Sequence, residues 1–147
     1  MDDTLNKDGK LEDETVVVNN ESHGIHRIYY ESGKLKIEIH LTNGKKHGIQ
    51  KKYYESGELE FQSSYNNGKE HGITQGYYEN GQLKYEWTFD DGKAHGIYKG
   101  YYESGQLMWE EPYVRSKQHG ISKYYGETGE LIKEISYHNG KELWQTW

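Results

Sequence analysis

The chain has 147 residues, enough for one ordinary domain, yet only 32% are apolar, 29% are charged and the mean hydropathy is −1.16. Such a composition borders on the disordered class, and no stretch approaches the length of a membrane-spanning helix. With no cysteine there are no disulfides and no thiolate metal sites, and a net charge of −6 without a basic stripe argues against tracking nucleic-acid phosphates.

Residues 1–22 hold most of the negative charge: Asp2, Asp3, Asp8, Glu12, Asp13, Glu14 and Glu21 against Lys7 and Lys10. The segment lacks the apolar run of a signal peptide, so a soluble cytoplasmic protein is the expectation. Gly9-Lys10-Leu11 stands 24 residues before Gly33-Lys34-Leu35, and Val17 stands 24 before Leu41. The segment therefore reads as a degenerate copy of the unit that recurs after it, a polar cap of the kind that ends repeat arrays. Asn6 to Leu11 looks like the middle of a calcium loop, but its ligand positions hold Thr4 and Thr15, so no metal is expected.

From residue 23 the chain repeats with a period of 24: His-Gly-Ile begins at His23, His47, His71, His95 and His119. The copies are residues 23–46, 47–70, 71–94, 95–118 and 119–142, followed by a short C-terminal cap, 143–147. The strict period and 15 tyrosines argue for order despite the polarity, because an array buries each unit only against its neighbours. Each copy reads as two strands, such as Ile49–Tyr54 and Leu59–Tyr65. Between copies stand Asn43-Gly44, Asn67-Gly68, Asp91-Gly92 and Asn139-Gly140, which favour type I′ hairpin turns. The predicted fold is all-β: an elongated single-sheet antiparallel meander of about eleven or twelve strands, roughly 50–60 Å long.

Two-residue turns inside each copy as well would put Tyr78, Leu83, Tyr85, Trp87 and Phe89 on one face. Ile73, Tyr77, Lys84, Glu86 and Thr88 would take the other. A three-residue loop would exchange the two tyrosines of each pair. Copy four is irregular: Arg115-Ser116 replaces Asp-Gly, and Pro112, the single proline, predicts a local kink or bulge. Trp144 and Trp147 would cap the open end.

No constellation points to catalysis. Histidines of successive copies are roughly 9–10 Å apart, too far to share a metal, and are read as tying down the turn before Gly. Glu31, Glu55, Glu79, Glu103 and Glu127 form a ladder of like acids rather than an unlike pair across a cleft. No Ser/His/Asp set or phosphate loop stands out, so neither an enzyme nor a cofactor is expected. The aromatic surplus is the strongest functional signal. Copies one and five place Ile37 and Lys133 where copies two to four place Phe61, Tyr85 and Trp109, and Ile39 and Ile135 where copy three places Trp87. Tyr85, Trp87, Tyr98, Tyr102 and Trp109 are therefore the candidate partner-binding residues.

The elements Gly44-Lys45-Lys46-His47-Gly48, Gly68-Lys69-Glu70-His71-Gly72 and Gly92-Lys93-Ala94-His95-Gly96 resemble the Gly-Lys-x-His-Gly core of MORN repeats. The following Tyr-Tyr-Glu-Ser/Asn-Gly-x-Leu looks like the bacterial variant typical of antitoxin components of toxin–antitoxin modules. Lys117-Gln118-His119-Gly120 departs by lacking the leading Gly. The resemblance covers essentially residues 5–142 and implies a binding scaffold whose partner is a protein, such as a toxin. The alternatives are a phospholipid or membrane-surface scaffold, disfavoured by the missing polybasic patch and by the missing Tyr-x-Gly-x-Trp half of the eukaryotic repeat, and end-to-end self-assembly.

Overall fold

The computed structural model of the protein describes residues 2–5, 11–18 and 23–143, and every regular element among them is a strand. β1 (Asp2–Leu5) and β2 (Leu11–Val18) form an N-terminal hairpin, β3 (His23–Tyr29) and β4 (Leu35–Thr42) the next. Then come β5 (Lys45–Lys46), β6 (Gly48–Tyr53), β7 (Leu59–Asn66), β8 (Lys69–Tyr77) and β9 (Leu83–Asp90). β10 (Lys93–Ala94), β11 (Gly96–Tyr101), β12 (Leu107–Val114), β13 (Lys117–Gln118), β14 (Gly120–Tyr125), β15 (Leu131–His138) and β16 (Lys141–Glu142) complete the chain. All belong to one open antiparallel sheet whose strands follow in chain order. β5, β10 and β13 are the leading ends of β6, β11 and β14, each separated from it by one histidine. The Asn6–Leu11 loop lies largely outside the described residues, and Trp144 and Trp147 lie wholly outside them.

Two kinds of turn alternate. Between copies, Asn or Asp sits at φ 48–51° and the following Gly at 69–85°, the type I′ geometry that suits the twist of the flanking strands. Arg115 and Ser116 make the same turn at 49° and 64° without a glycine. There the Ser116 hydroxyl accepts the Ala94 N–H at 3.0 Å.

Inside each copy the connection is a three-residue loop, not the two-residue turn expected. In copy three the Tyr78 N–H donates to the Gln82 carbonyl and the Gly81 N–H to the Tyr78 carbonyl, both at 2.9 Å. Gly81 alone takes positive φ, 84°. The tyrosines nevertheless do not exchange faces, because the register slips just beyond the loop: Gly76 pairs with Tyr85, but Tyr77 pairs with Leu83. Lys84 is the extra, bulged residue, and its one-residue offset cancels that of the loop. Alternation had placed Lys84 opposite Tyr78; the bulge instead brings its Nζ to 5.3 Å from the Tyr78 ring centroid.

A second irregularity lies at the His-Gly steps of copies two to five. Ala94 pairs with Phe89 and Lys99 with Glu86, five steps along one strand against three along the other. The insertion of two residues is even, so faces are preserved across it. Gly96 takes φ 88°, and the His95 N–H donates to the Thr88 carbonyl at 2.9 Å. The tie comes from the histidine backbone: His47, His71, His95 and His119 expose their side chains. This recurrence corrects the reading of Pro112. A bulge does lie opposite it, at His119-Gly120, but the copies that begin at His47, His71 and His95 have one too. Pro112 continues β12, accepts the His119 N–H at 3.0 Å and occupies a position where the bulge asks for no ladder donor.

Neighbouring copies are stapled along both sheet edges. In copies one to four the second tyrosine of the pair donates its hydroxyl to the carbonyl of the tyrosine 23 residues on: Tyr30 to Tyr53 at 2.6 Å, Tyr54 to Tyr77 at 2.7 Å, Tyr78 to Tyr101 and Tyr102 to Tyr125 at 2.8 Å. On the opposite edge the second turn residue donates its N–H one copy back, as Gly92 does to Glu70 at 2.8 Å.

The two faces differ sharply. Ser63, Thr74, Ala94, Tyr98 and Ser122 are the buried side chains among the described residues, all on the face of Trp87. On the other face Ile49, Ile73, Ile97 and Ile121 remain 47–52% exposed.

Candidate functional site

The aromatic face is assembled by register. Tyr85, Trp87 and Phe89 are alternate residues of β9 and so share a face, with the Tyr85 and Trp87 rings 4.9 Å apart. β11 brings Tyr98 against Trp87, the rings 5.1 Å apart and within 5° of parallel, and β12 adds Tyr113 at 4.5 Å from Tyr98. These distances fall in the range of favourable ring pairs. Tyr98 is enclosed: burial, with Tyr113 and Glu70 nearby, pushes its hydroxyl up to about 12. Burial also raises Tyr85 and Tyr113, and the latter donates to Glu111 at 3.2 Å. Glu111 accepts from Tyr124 at 2.6 Å as well. The Trp87 Nε1 and Tyr98 hydroxyl are buried without a hydrogen-bond partner.

Two of the surplus rings lie over glycines. A Cβ added at Gly76 would stand 2.3 Å from the Tyr85 ring, and one at Gly100 would stand 2.3 Å from Trp109. Gly76 and Tyr85, like Gly100 and Trp109, are directly opposed across strands. Where other copies have a side chain at the glycine position, the opposing residue is not Tyr or Trp: Lys52 faces Phe61, and Tyr124 faces Lys133. Ring and side chain thus trade volume across the hairpin, which a glycine inside a strand signals in advance.

Of the five candidate binding residues, Tyr85, Trp87 and Tyr98 form one cluster. Trp109 lies over Gly100 one hairpin on, and Tyr102 stands at the loop edge with its hydroxyl committed to the Tyr125 carbonyl. Phe89 and Tyr113, part of the same aromatic surplus in the sequence, join the cluster, and so does Glu111, which the sequence pattern did not single out. Glu111 carries no sequence signal, since its place in the aromatic row appears only once the strands are in register. Among the described residues no group of three or more His, Asp or Glu could hold a metal ion, and no helix is long and apolar enough to cross a membrane.

The sequence pattern of the MORN repeat variant matches residues 22–43, 46–67, 70–91, 94–115 and 118–139. The chain belongs to the MORN repeat variant family. In this MORN chain each matched unit ends at the first residue of an inter-copy turn, and the step between units contains the second turn residue. No curated protein matches the chain. Among solved structures, a point mutant of S. aureus TarM, in complex with Fondaparinux, alpha-GlcNAc-glycerol and UDP, is 13% identical with a TM-score of 0.45. It covers 74% of this chain, which covers 21% of it. The accessory secretory protein 1, 2 and 3 structure from Streptococcus pneumoniae is 15% identical with a TM-score of 0.40, covering 74% of this chain and 20% of its own. The chain spans about a fifth of each, and neither likeness carries a functional argument. The MORN array thus offers a repeat scaffold with two chemically distinct faces.

Proposed function

We propose that this MORN chain is a non-catalytic scaffold that binds a partner protein over the aromatic face centred on Tyr85, Trp87, Tyr98 and Trp109, with Tyr102 at its edge. One observation carries the reading: a run of packed rings lies on one side of a sheet over which the described residues place no second layer. Tyr and Trp are the residues that concentrate binding energy at protein interfaces. The enclosed Trp87 Nε1 and Tyr98 hydroxyl lack acceptors, which a docked chain can supply with a small ring movement. The finer reading, supported only by the resemblance to antitoxin components, is that the partner is a toxin held inactive in the cytoplasm.

The test removes the indole while keeping the packing. Gly100→Tyr with Trp109→Lys imports the residues that copy five carries at these positions, Tyr124 and Lys133. A partner recovered from the native host and reconstituted from purified components should bind this variant about 30-fold to 1,000-fold more weakly, the loss typical of an interface Trp. Its melting temperature should stay near that of the parent. Unchanged affinity in a folded variant removes Trp109 from the interface, and unchanged affinity in a folded Trp87→Leu variant as well removes the whole face.

A further inference from the structure

The face opposite the rings carries a row of residues, one per strand, each the backbone partner of the next. In copies one to four the first strand contributes Arg27, Lys51, Gln75 or Lys99. The second contributes Glu38, Gln62, Glu86 or Glu110. From β3 to β12 the row therefore reads plus, minus, plus, Gln, Gln, minus, plus, minus. Both substitutions that interrupt the alternation fall at its centre, where the Gln62 amide donates to Gln75 at 2.9 Å.

This order is complementary to itself. Turned end for end about the point between Gln62 and Gln75 and laid face to face, Gln62 meets Gln75 and Lys51 meets Glu86. Glu38 meets Lys99, and Arg27 meets Glu110. Of the three cations in this part of the row, Lys51 and Lys99 have no ion-pair partner among the described residues, and both acquire one. Beside it, two residues earlier on the first strands and two residues later on the second, runs a row in which exposed Ile49, Ile73 and Ile97 alternate with their partners Ser64, Thr88 and Pro112. The same rotation sets Ile73 over Ser64 and Ile49 over Thr88, ridge against gap.

We propose that two copies of this chain pack face to face through this surface, antiparallel along the array, with a two-fold axis running along the strands between β7 and β8. Such an interface is isologous, so every contact occurs twice. Eight strands by the width of three side-chain rows span roughly 40 Å by 20 Å, about 800 Å² per copy, the size of a standard stable interface. Packed sheets cross at about 30°, so the pairs nearest the axis, Gln62 with Gln75 and Lys51 with Glu86, hold register best. The surface is on the opposite side of the sheet from the aromatic cluster, and the dimer leaves that cluster open.

Sedimentation of the full chain tests the arrangement. The parent should sediment as a dimer. Lys51→Glu sets a second carboxylate against Glu86 across the interface, and Glu86→Lys sets a second ammonium against Lys51. Each alone should raise the dimer dissociation constant by roughly tenfold or more. An equimolar mixture of the two variants should restore a dimer, because both cross-pairs become attractive. No intrachain effect produces that rescue: β6 and β9 are three strands apart, about 14 Å. The pair Glu38→Lys and Lys99→Glu repeats the experiment at a second position should either first variant lose its strand circular dichroism. A parent that is monomeric at its highest soluble concentration overturns the proposal, as does a mixture no more dimeric than its components.

Discussion

Arg115 and Ser116 show how far the turn geometry dominates residue preference. Both hold positive φ, at 49° and 64°, where an L residue with a Cβ pays about 1 kcal/mol or more. The other inter-copy turns place Asn or Asp at the first position, whose short side chain tolerates that conformation. Arg115→Asn should therefore raise stability by about 0.5–1 kcal/mol, read from thermal or urea unfolding. Ser116→Ala should lower it by about 1 kcal/mol, because it removes the acceptor of the Ala94 N–H and leaves the backbone strained. Tyr98 supplies a pH dependence. Its hydroxyl titrates near 12 in the fold, above its ordinary value of 10.0, because burial disfavours the phenolate. The fold thus favours the protonated form. Its contribution is complete below about pH 10 and is lost as the pH rises toward 12. Unfolding free energy measured across that window should fall, and less steeply in Tyr98→Phe.

Each hairpin works as a unit because its irregularities cancel. The three-residue loop and the bulge beyond it are each odd, and together they leave the in-out alternation of β9 as a two-residue turn would have left it. The glycine–ring pairs are a second compensation at this scale. Gly100→Ala should destabilise the chain by about 1–3 kcal/mol, since the added Cβ collides with the Trp109 ring rather than with a flexible tip. In a Trp109→Ala background most of that cost should disappear, and the non-additivity in a double-mutant cycle measures the contact. Additive losses mean that the indole does not rest on Gly100.

For the whole molecule, stability is a sum of hairpins and the contacts that couple them. The tyrosine hydroxyls that reach one copy on are such couplings. Replacing Tyr30, Tyr54, Tyr78 and Tyr102 together by Phe should cost about 1 kcal/mol per lost hydrogen bond, because each leaves a backbone carbonyl short of a donor. It should also broaden the melting transition as neighbouring copies uncouple, whereas a sharp transition at the parent temperature would show that the edge staples are dispensable. The fifth equivalent position is Gly126, so the series of staples stops there.

The period of 24, the inter-copy turns and the two-faced strands were legible in the order of residues, because they depend on local chemistry. Asn-Gly accepts positive φ twice, and adjacent strand residues point to opposite sides. The all-β meander follows from those features alone. Three things depended on which residue ends up across from which, and so only the tertiary structure decided them. Trp109 rests on Gly100, Glu111 enters the ring cluster, and the charged residues line up into one row crossing the sheet. Register in an antiparallel sheet is set by loop length together with every bulge, and a single uncounted residue moves each later partner by one. The loop and bulge of each hairpin and the two extra residues at the four later His-Gly steps leave no separate mark in the residue pattern. Their combined effect on pairing appears when the backbone hydrogen bonds are formed.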